Sequence, residues 1–307
     1  MEAVYPEAGD FELVGKSEEN AQAIVRPSMS YWQDARRRLR KNKVAMTSMI
    51  VLVILTIMAI IGPMMVDVQY NDTDFMNTNA PPSSEHWFGT DALGRDLWAR
   101  VWVGARVSLF IGLVAALITT VIGVFVGGVS GYFGGTLDMM VMRAVDILDT
   151  IPFLIYVILI MMVIGSGIIP IIIAFAITGW LSMARLVRGQ VLQQKEMEYM
   201  VGSKALGASY YSLIFQHLVP NMMGIIIVTL TMKIPGAIFT EAFLSYIGIG
   251  VEPPMTSWGQ LANMGAQVMQ IYPLQLLIPA FFISITMLSL QLFGDGLRDS
   301  LDPKMRM

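Results

Sequence analysis

The feature that most restricts this chain is the length of its uncharged runs. No charge falls in the 23 residues between Lys43 and Asp67, the 31 between Arg106 and Asp138, the 35 between Asp149 and Arg185, or the 42 between Glu252 and Asp295. About 20 apolar residues are enough for a helix to cross the hydrocarbon layer, so several crossings are expected. The composition agrees: of 307 residues, 55% are apolar and 14% charged, where an ordinary soluble domain is about 25% charged. The expected fold class is all-α integral membrane. Two His and no Cys exclude disulfides, a thiol nucleophile, Cys-ligated zinc and an iron–sulfur cluster. A net charge of -3 gives no reason to expect nucleic acid.

Three regions follow. Residues 1–43 form a cytoplasmic tail, 44–293 a transmembrane domain and 294–307 a short C-terminal tail. Within the first, residues 1–27 hold six acidic side chains and no apolar period, as a mobile tail would. Met1 to Asp10 has neither a basic start nor an apolar core, so the first span is expected to act as the insertion signal. Ser30 to Lys43 differs: Ser30 and Gln33 have the capping-box spacing, and Trp32 and Leu39 share a face among six cations. Such a helix suits an anionic leaflet, or else is a solvated basic stretch. Six spans are expected, at about 44–66, 107–132, 142–164, 168–184, 221–245 and 273–293. Outside the bilayer, the loops Asp67 to Arg106 and Tyr246 to Tyr272 are expected on the outer side. Sixteen of the twenty Lys and Arg fall on one side of this arrangement and only Arg95, Arg100 and Arg106 on the other, with Lys233 inside a span. The cation bias puts both termini in the cytoplasm.

Gly9 to Ser17 (GDFELVGKS) imitates a phosphate-binding loop, but five residues separate its glycines where four are needed, and no apolar strand precedes it. The second span has Gly123, Gly127, Gly131 and Gly135 at a strict spacing of four, continued upward by Thr119 and Ala115. Residues four apart share a helix face, so the ladder is read as a surface for close helix packing, within this chain or with a second subunit. Ionisable residues inside spans are functional candidates. Lys233 and Glu241 are eight residues apart in the fifth span, about 12 Å along a helix, too far to pair. Each is expected to meet water in a pathway, a group on another helix or a carbonyl freed by Pro235. Asp146 and Asp149 are read as favourable charges at the start of the third span.

The connection 189–220 is polar enough to leave the bilayer and regular enough to be helical. Tyr199, Leu206, Tyr210, Leu213 and Ile214 recur at helical spacing, and Gly207 interrupts them. A glycine-broken amphipathic pair suits docking into a groove of a soluble protein, or lying on lipid. This stretch resembles the cytoplasmic coupling loop of ABC-importer permeases, whose pattern is Glu-Ala-Ala, three residues, Gly, nine residues, Ile-x-Leu-Pro. Gly207 and Pro220 keep the spacing of 13; Val201, Gly202 and Ser203 replace Glu-Ala-Ala, and His217 replaces the Ile. His86 to Leu109, Gly131 to Pro152, Trp180 to Gln190 and Glu241 to Gln260 narrow the resemblance to the second-subunit type of the oligopeptide/dipeptide/nickel group. The long N-terminal tail is similar to that of Gram-positive oligopeptide permeases.

The resemblance implies a six-helix permease of a type I ABC importer with cytoplasmic coupling helices, placed in a bacterial plasma membrane. It implies a non-identical second permease, two cytoplasmic ATPases and an extracytoplasmic peptide-binding lipoprotein as partners. ATP and Mg belong to the ATPases, so this chain performs no covalent chemistry and binds no cofactor. It implies contact with the ATPases at Glu198, Gly202, Ser203, Ala205, Leu206, Gly207, Ala208 and Pro220. The substrate class is oligopeptides, with dipeptides, nickel or glutathione as alternatives sharing the same motifs. A self-sufficient carrier is disfavoured because only one carboxylate, Glu241, lies deep in a span. Lys233 facing a substrate carboxylate is the pathway hypothesis.

Overall fold

The computed structural model describes residues 30–302. The acidic tail, the Gly9 to Ser17 pattern, Lys304 and Arg306 lie outside them. Eleven helices give the frame: α1 (Tyr31–Lys41), α2 (Lys43–Ile61), α3 (Leu97–Phe133), α4 (Gly135–Asp149), α5 (Phe153–Ile164), α6 (Ile168–Thr178), α7 (Leu181–Gln194), α8 (Glu198–Ala205), α9 (Met223–Tyr246), α10 (Trp258–Val268) and α11 (Leu274–Leu301). Among the described residues the one β-type pairing is an isolated bridge between Thr90 and Asp96. Five segments are long and apolar enough to cross a membrane: Lys43–Met65, Leu97–Phe133, Ile168–Gln194, Met223–Tyr246 and Leu274–Leu301. A sixth candidate is the pair α4 and α5, which together are long and apolar enough but are bent by 81° at the break between them.

That bend corrects the third span, expected as one helix from residue 142. Pro152 cannot donate to the preceding turn and steers Ile151 away from helical angles. The chain therefore breaks at 150–152 and re-enters at Phe153. Asp146 and Asp149 consequently end α4 rather than open a span, and they are held by Arg185 at 3.1 and 2.7 Å. The fourth span continues to Gln194 after an interruption at Gly179 and Trp180, and the last runs on to Leu301. Helix α3 starts at Leu97, so Arg100 and Arg106 are helical rather than part of the loop expected over residues 67–106. The segment expected as a loop over residues 246–272 contains α10, whose Trp258 is fully buried.

The bundle is organised around α3, which packs against α2, α6, α7 and α9. The small-residue face meets the α6–α7 span of this same chain: Thr119 lies by Gly179, Gly123 by Met183, Gly127 by the Ala184 backbone and Gly131 by Arg188 and Val191. Lipid offers no hydrophobic drive for one helix to bind another, so van der Waals contact at this range does the work. Gly135 does not belong to the ladder. The helix ends at Phe133; Gly134 and Gly135 adopt φ of 65° and 57°, and nothing lies within 4 Å of a side chain placed on Gly135. Its role is the turn into α4. Beyond the turn, both guanidinium nitrogens Nε and Nη2 of Arg188 donate to Asp138 at 2.6 Å, and Ser130 donates to the same carboxylate. The α3–α7 contact is thus tied to α4.

At the N-terminal end of α3 the preceding loop folds onto buried charge. Asp91 accepts from the backbone nitrogens of Leu93 and Arg95 and from Arg95 Nε at 2.7 Å. Its Oδ2 also lies 3.5 Å from Nε of Arg100, whose side chain is buried and donates to the Tyr70 carbonyl. Asp96 caps α3 through the Ala99 nitrogen and faces His86 Nδ1 at 2.8 Å. Trp87, Phe88, Trp98, Trp102, Trp258 and Phe282 pack edge to face or stacked around this layer, and Trp98 Nε1 donates to the Gly62 carbonyl at the end of α2.

Two outcomes test this frame. Gly127→Val is expected to abolish accumulation of the folded chain in membranes, because its side chain meets the Ala184 backbone, whereas Gly135→Asn, which tolerates the left-handed backbone, should accumulate normally. Equal levels of the two variants on quantitative blots of membranes would contradict the packing assignment. Asp91→Ala leaves Arg95 and Arg100 without their carboxylate and should destabilise the chain by about 3–5 kcal/mol, read as a lowered Tm of the detergent-solubilised protein.

Candidate functional site

Two features stand apart from the packed frame. The first is the connection between α7 and α9. Helix α8 ends in a glycine cap: the Gly207 nitrogen donates to the Lys204 carbonyl and the Ala208 nitrogen to the Ser203 carbonyl, at 3.0 and 3.1 Å. That double bond pattern needs a left-handed residue between them, and Gly207 supplies φ of 84°. After the turn, Ser212–Leu218 is wound as a wider π-helix, and Val219–Asn221 follows it as a short α-helical turn. Leu213, Ile214 and Leu218 are buried with Met200, Met183, Val187 and Val191, so the connection is anchored to α7 by one face.

The opposite face is uncovered. Leu206 is 90% exposed and Tyr210 62% exposed, with Val201 and Tyr211 beside them. Glu198, Gly202, Ala205, Gly207 and Pro220 are also exposed, while Ser203 and Ala208 are half-buried. A side chain placed on Gly202 or Gly207 would meet nothing within 4 Å. Tyr210 also reaches back to the end of α3, with ring centroids 5.9 Å from Tyr132 and 5.6 Å from Phe133. The expected single stripe is thereby split: Leu213 and Ile214 hold the connection down, and Leu206 and Tyr210 present it.

The second feature is the polar side of α9. Lys233 is the eleventh of its 24 residues and so sits near the middle of a helix about 36 Å long. Its Nζ donates to the Gly179 carbonyl at 2.9 Å and to Ser182 Oγ at 3.1 Å. Of the partners open in the sequence, a group on another helix is the one observed. Gly179 and Ser182 flank the interruption between α6 and α7; the signal for them was a Gly-Trp pair breaking an apolar run. Lys233 lines a cavity of about 340 Å³ together with Ala115, Thr119, Phe175, Gly236 and Thr240. Gly236 has nothing within 4 Å, so this side of the helix is open.

Glu241, expected as a second pathway residue, lies elsewhere. It is fully buried, and its carboxylate accepts from Ser108 Oγ and Ser245 Oγ, each at 2.8 Å. Ser108 and Ser245 in turn accept from the backbone nitrogens of Trp258 and Val251. The carboxylate fastens α9 to α3 and to the start of α10, and it does not line the Lys233 cavity in this structure. Among the described residues no group of three or more His, Asp or Glu could hold a metal ion.

The comparisons with known proteins fit this arrangement. Residues 120–307 match the family described as the binding-protein-dependent transport system inner membrane component, and residues 30–82 match the N-terminal TM domain of oligopeptide transport permease C. The chain is 51% identical to the oligopeptide transport system permease protein OppC of Bacillus subtilis, covering 96% of this chain and 97% of that protein. It is 48% identical to the dipeptide transport system permease protein DppC of the same organism, covering 96% and 93%. The OppC of Escherichia coli K12 is 43% identical, with 90% of this chain and 92% of the relative covered. Among solved structures, a chain of the MetNI methionine ABC transporter in inward-facing conformations superposes with a TM-score of 0.54 at 18% identity, covering 66% of this chain and 97% of that one; the likeness is one of fold. A bundle with an exposed, glycine-capped connection and this extent of identity leaves one assignment: the chain belongs to the inner-membrane permease components of binding-protein-dependent ABC transport systems.

Proposed function

We propose that this chain is one of two non-identical permeases in an ATP-driven importer that carries oligopeptides across a bacterial plasma membrane, with both its termini in the cytoplasm. The observation that supports the substrate class most directly is the 51% identity, over nearly the whole of both chains, to an oligopeptide transport permease. A dipeptide-carrying complex is the second reading, favoured by the 48% identity to a dipeptide transport permease. The remaining partners in this proposal are two cytoplasmic ATPases, which hold the ATP and Mg, and an extracytoplasmic peptide-binding lipoprotein.

In this reading the chain does no chemistry and transmits motion. The exposed face of α8 and the following turn, with Glu198, Gly202, Ala205, Leu206 and Gly207, sits in a groove of an ATPase. Ser203 and Ala208 hold the turn from behind, and Pro220 closes the connection where α9 begins. Closure of the ATPases on ATP moves this connection as a rigid body, since Leu213, Ile214 and Leu218 lock it to α7. The α6–α7 span then moves with α3, because their backbones are in contact along the ladder. Lys233 lies on the open side of α9, where a second permease would complete a path. A polar, uncovered face at mid-membrane is tolerated only against protein or water.

The coupling assignment is tested at Gly207. A larger residue is sterically free in the isolated chain but must adopt a left-handed backbone, at about 1–2 kcal/mol. Gly207→Arg is expected to leave the complex assembled, with peptide uptake lost and ATP hydrolysis no longer stimulated by loaded binding protein. Gly207→Asn, which tolerates the left-handed region, should keep most of its uptake. Full transport by the arginine variant in proteoliposomes would remove the docking assignment.

A further inference from the structure

A pathway that accepts peptides of varied sequence can recognise only what every peptide has: amide groups, one ammonium and one carboxylate. The cavity on the open side of α9 has an electrostatic bias toward the last of these. Lys233 is a cation near the middle of the span, and the other lining groups are neutral: Ala115, Ala116, Thr119, Gly179, Gly236 and Thr240 among them. Small side chains leave room for a main chain, and the two threonines add hydroxyls. Carboxylates that could cancel the charge are engaged elsewhere. Glu241, two turns along α9, is buried and satisfied by Ser108 and Ser245. Asp146 and Asp149 are bridged by Arg185, one turn along α7 from Ser182.

The ammonium itself is held by a single backbone carbonyl, that of Gly179, and by the hydroxyl of Ser182. Both partners are neutral, so an arriving carboxylate forms the stronger, charge-assisted bond. Both belong to the break between α6 and α7, so releasing them also frees the point where that span is least regular. We propose that Lys233 receives the C-terminal carboxylate of the peptide in transit, in exchange for the Gly179 carbonyl. This rests on the importer reading above and extends it to a subsite and to the chemical group recognised. A cavity of about 340 Å³ lies at the small end of ligand sites, fitting the last residue or two of a chain rather than a whole peptide.

The test uses the whole reconstituted complex with its binding protein. Uptake of pentaalanine is compared with that of pentaalanine amide, each at a concentration that saturates the binding protein, in wild type, Lys233→Gln and Lys233→Arg. Glutamine can still donate to the Gly179 carbonyl but has no charge; arginine keeps the charge. The proposal expects uptake of the free acid to fall at least about tenfold in Lys233→Gln, the loss of one hydrogen bond to a charged group. It expects the arginine variant to stay within about threefold of wild type, and the amide to be carried equally by wild type and Lys233→Gln. An equal fall for acid and amide would assign Lys233 a purely structural role and overturn the proposal, as would no fall at all. Either result leaves the importer reading intact. Absence of ATP-dependent uptake of both peptides by wild type would instead overturn the importer reading, and the subsite with it.

Discussion

The rest of the structure depends on the backbone contact between α3 and the α6–α7 span. In water two apolar helices associate because they leave the solvent; in a bilayer they are already in an apolar solvent, and only close, complementary contact favours the pair over lipid. Gly123, Gly127 and Gly131 give that contact by adding no side chain of their own, so that α3 seats directly on Met183, on the Ala184 backbone and on Arg188 and Val191. What hangs on either helix inherits its position from it. The connection between α7 and α9 is pinned to α7, α4 is pinned to α7 through Asp138 and Arg188, and α9 packs on α3.

Helix α9 shows how similar sequence signals acquire opposite fates. Lys233 and Glu241 are both ionisable groups in an apolar helix, and their separation in sequence says nothing about which way each points. The surroundings decide. Glu241 turns toward α3, where Ser108 and the capped start of α10 offer hydroxyls and backbone order, and becomes a fastening. Lys233 turns toward the broken span, where a free carbonyl and open volume await it. One residue stabilises the bundle; the other stays exchangeable.

Much of this was legible in the residues. Uncharged runs located the crossings, the spacing of four along Gly123, Gly127 and Gly131 announced a packing face, and the 13 residues from Gly207 to Pro220 marked the connection. What escaped is the set of features decided by tertiary context. Pro152 splits a run whose hydropathy is continuous, and Gly135 continues a period after the helix that gave the period its meaning has ended. Arg100 looks like a loop cation and is a buried one, because Asp91, distant by nine positions, folds back to meet it. Hydropathy reads each residue against an average solvent and cannot anticipate such a private one. The partners of Lys233 were hinted at only by the Gly-Trp break in the apolar run, since Gly179 contributes no more than its main chain.

The length of α3 has a mechanical consequence. Its 37 residues extend about 56 Å, nearly twice the thickness of the hydrocarbon layer at about 30 Å, so one unbroken rod is longer than any crossing requires. At one end it bears Trp98, Trp102 and Arg100; at the other Tyr132 and Phe133 touch Tyr210. A rod without a joint cannot absorb a tilt. In the proposed coupling, where α3 and the α6–α7 span move as one, a displacement at Tyr210 tilts the whole rod and so reaches the tryptophan layer at its far end.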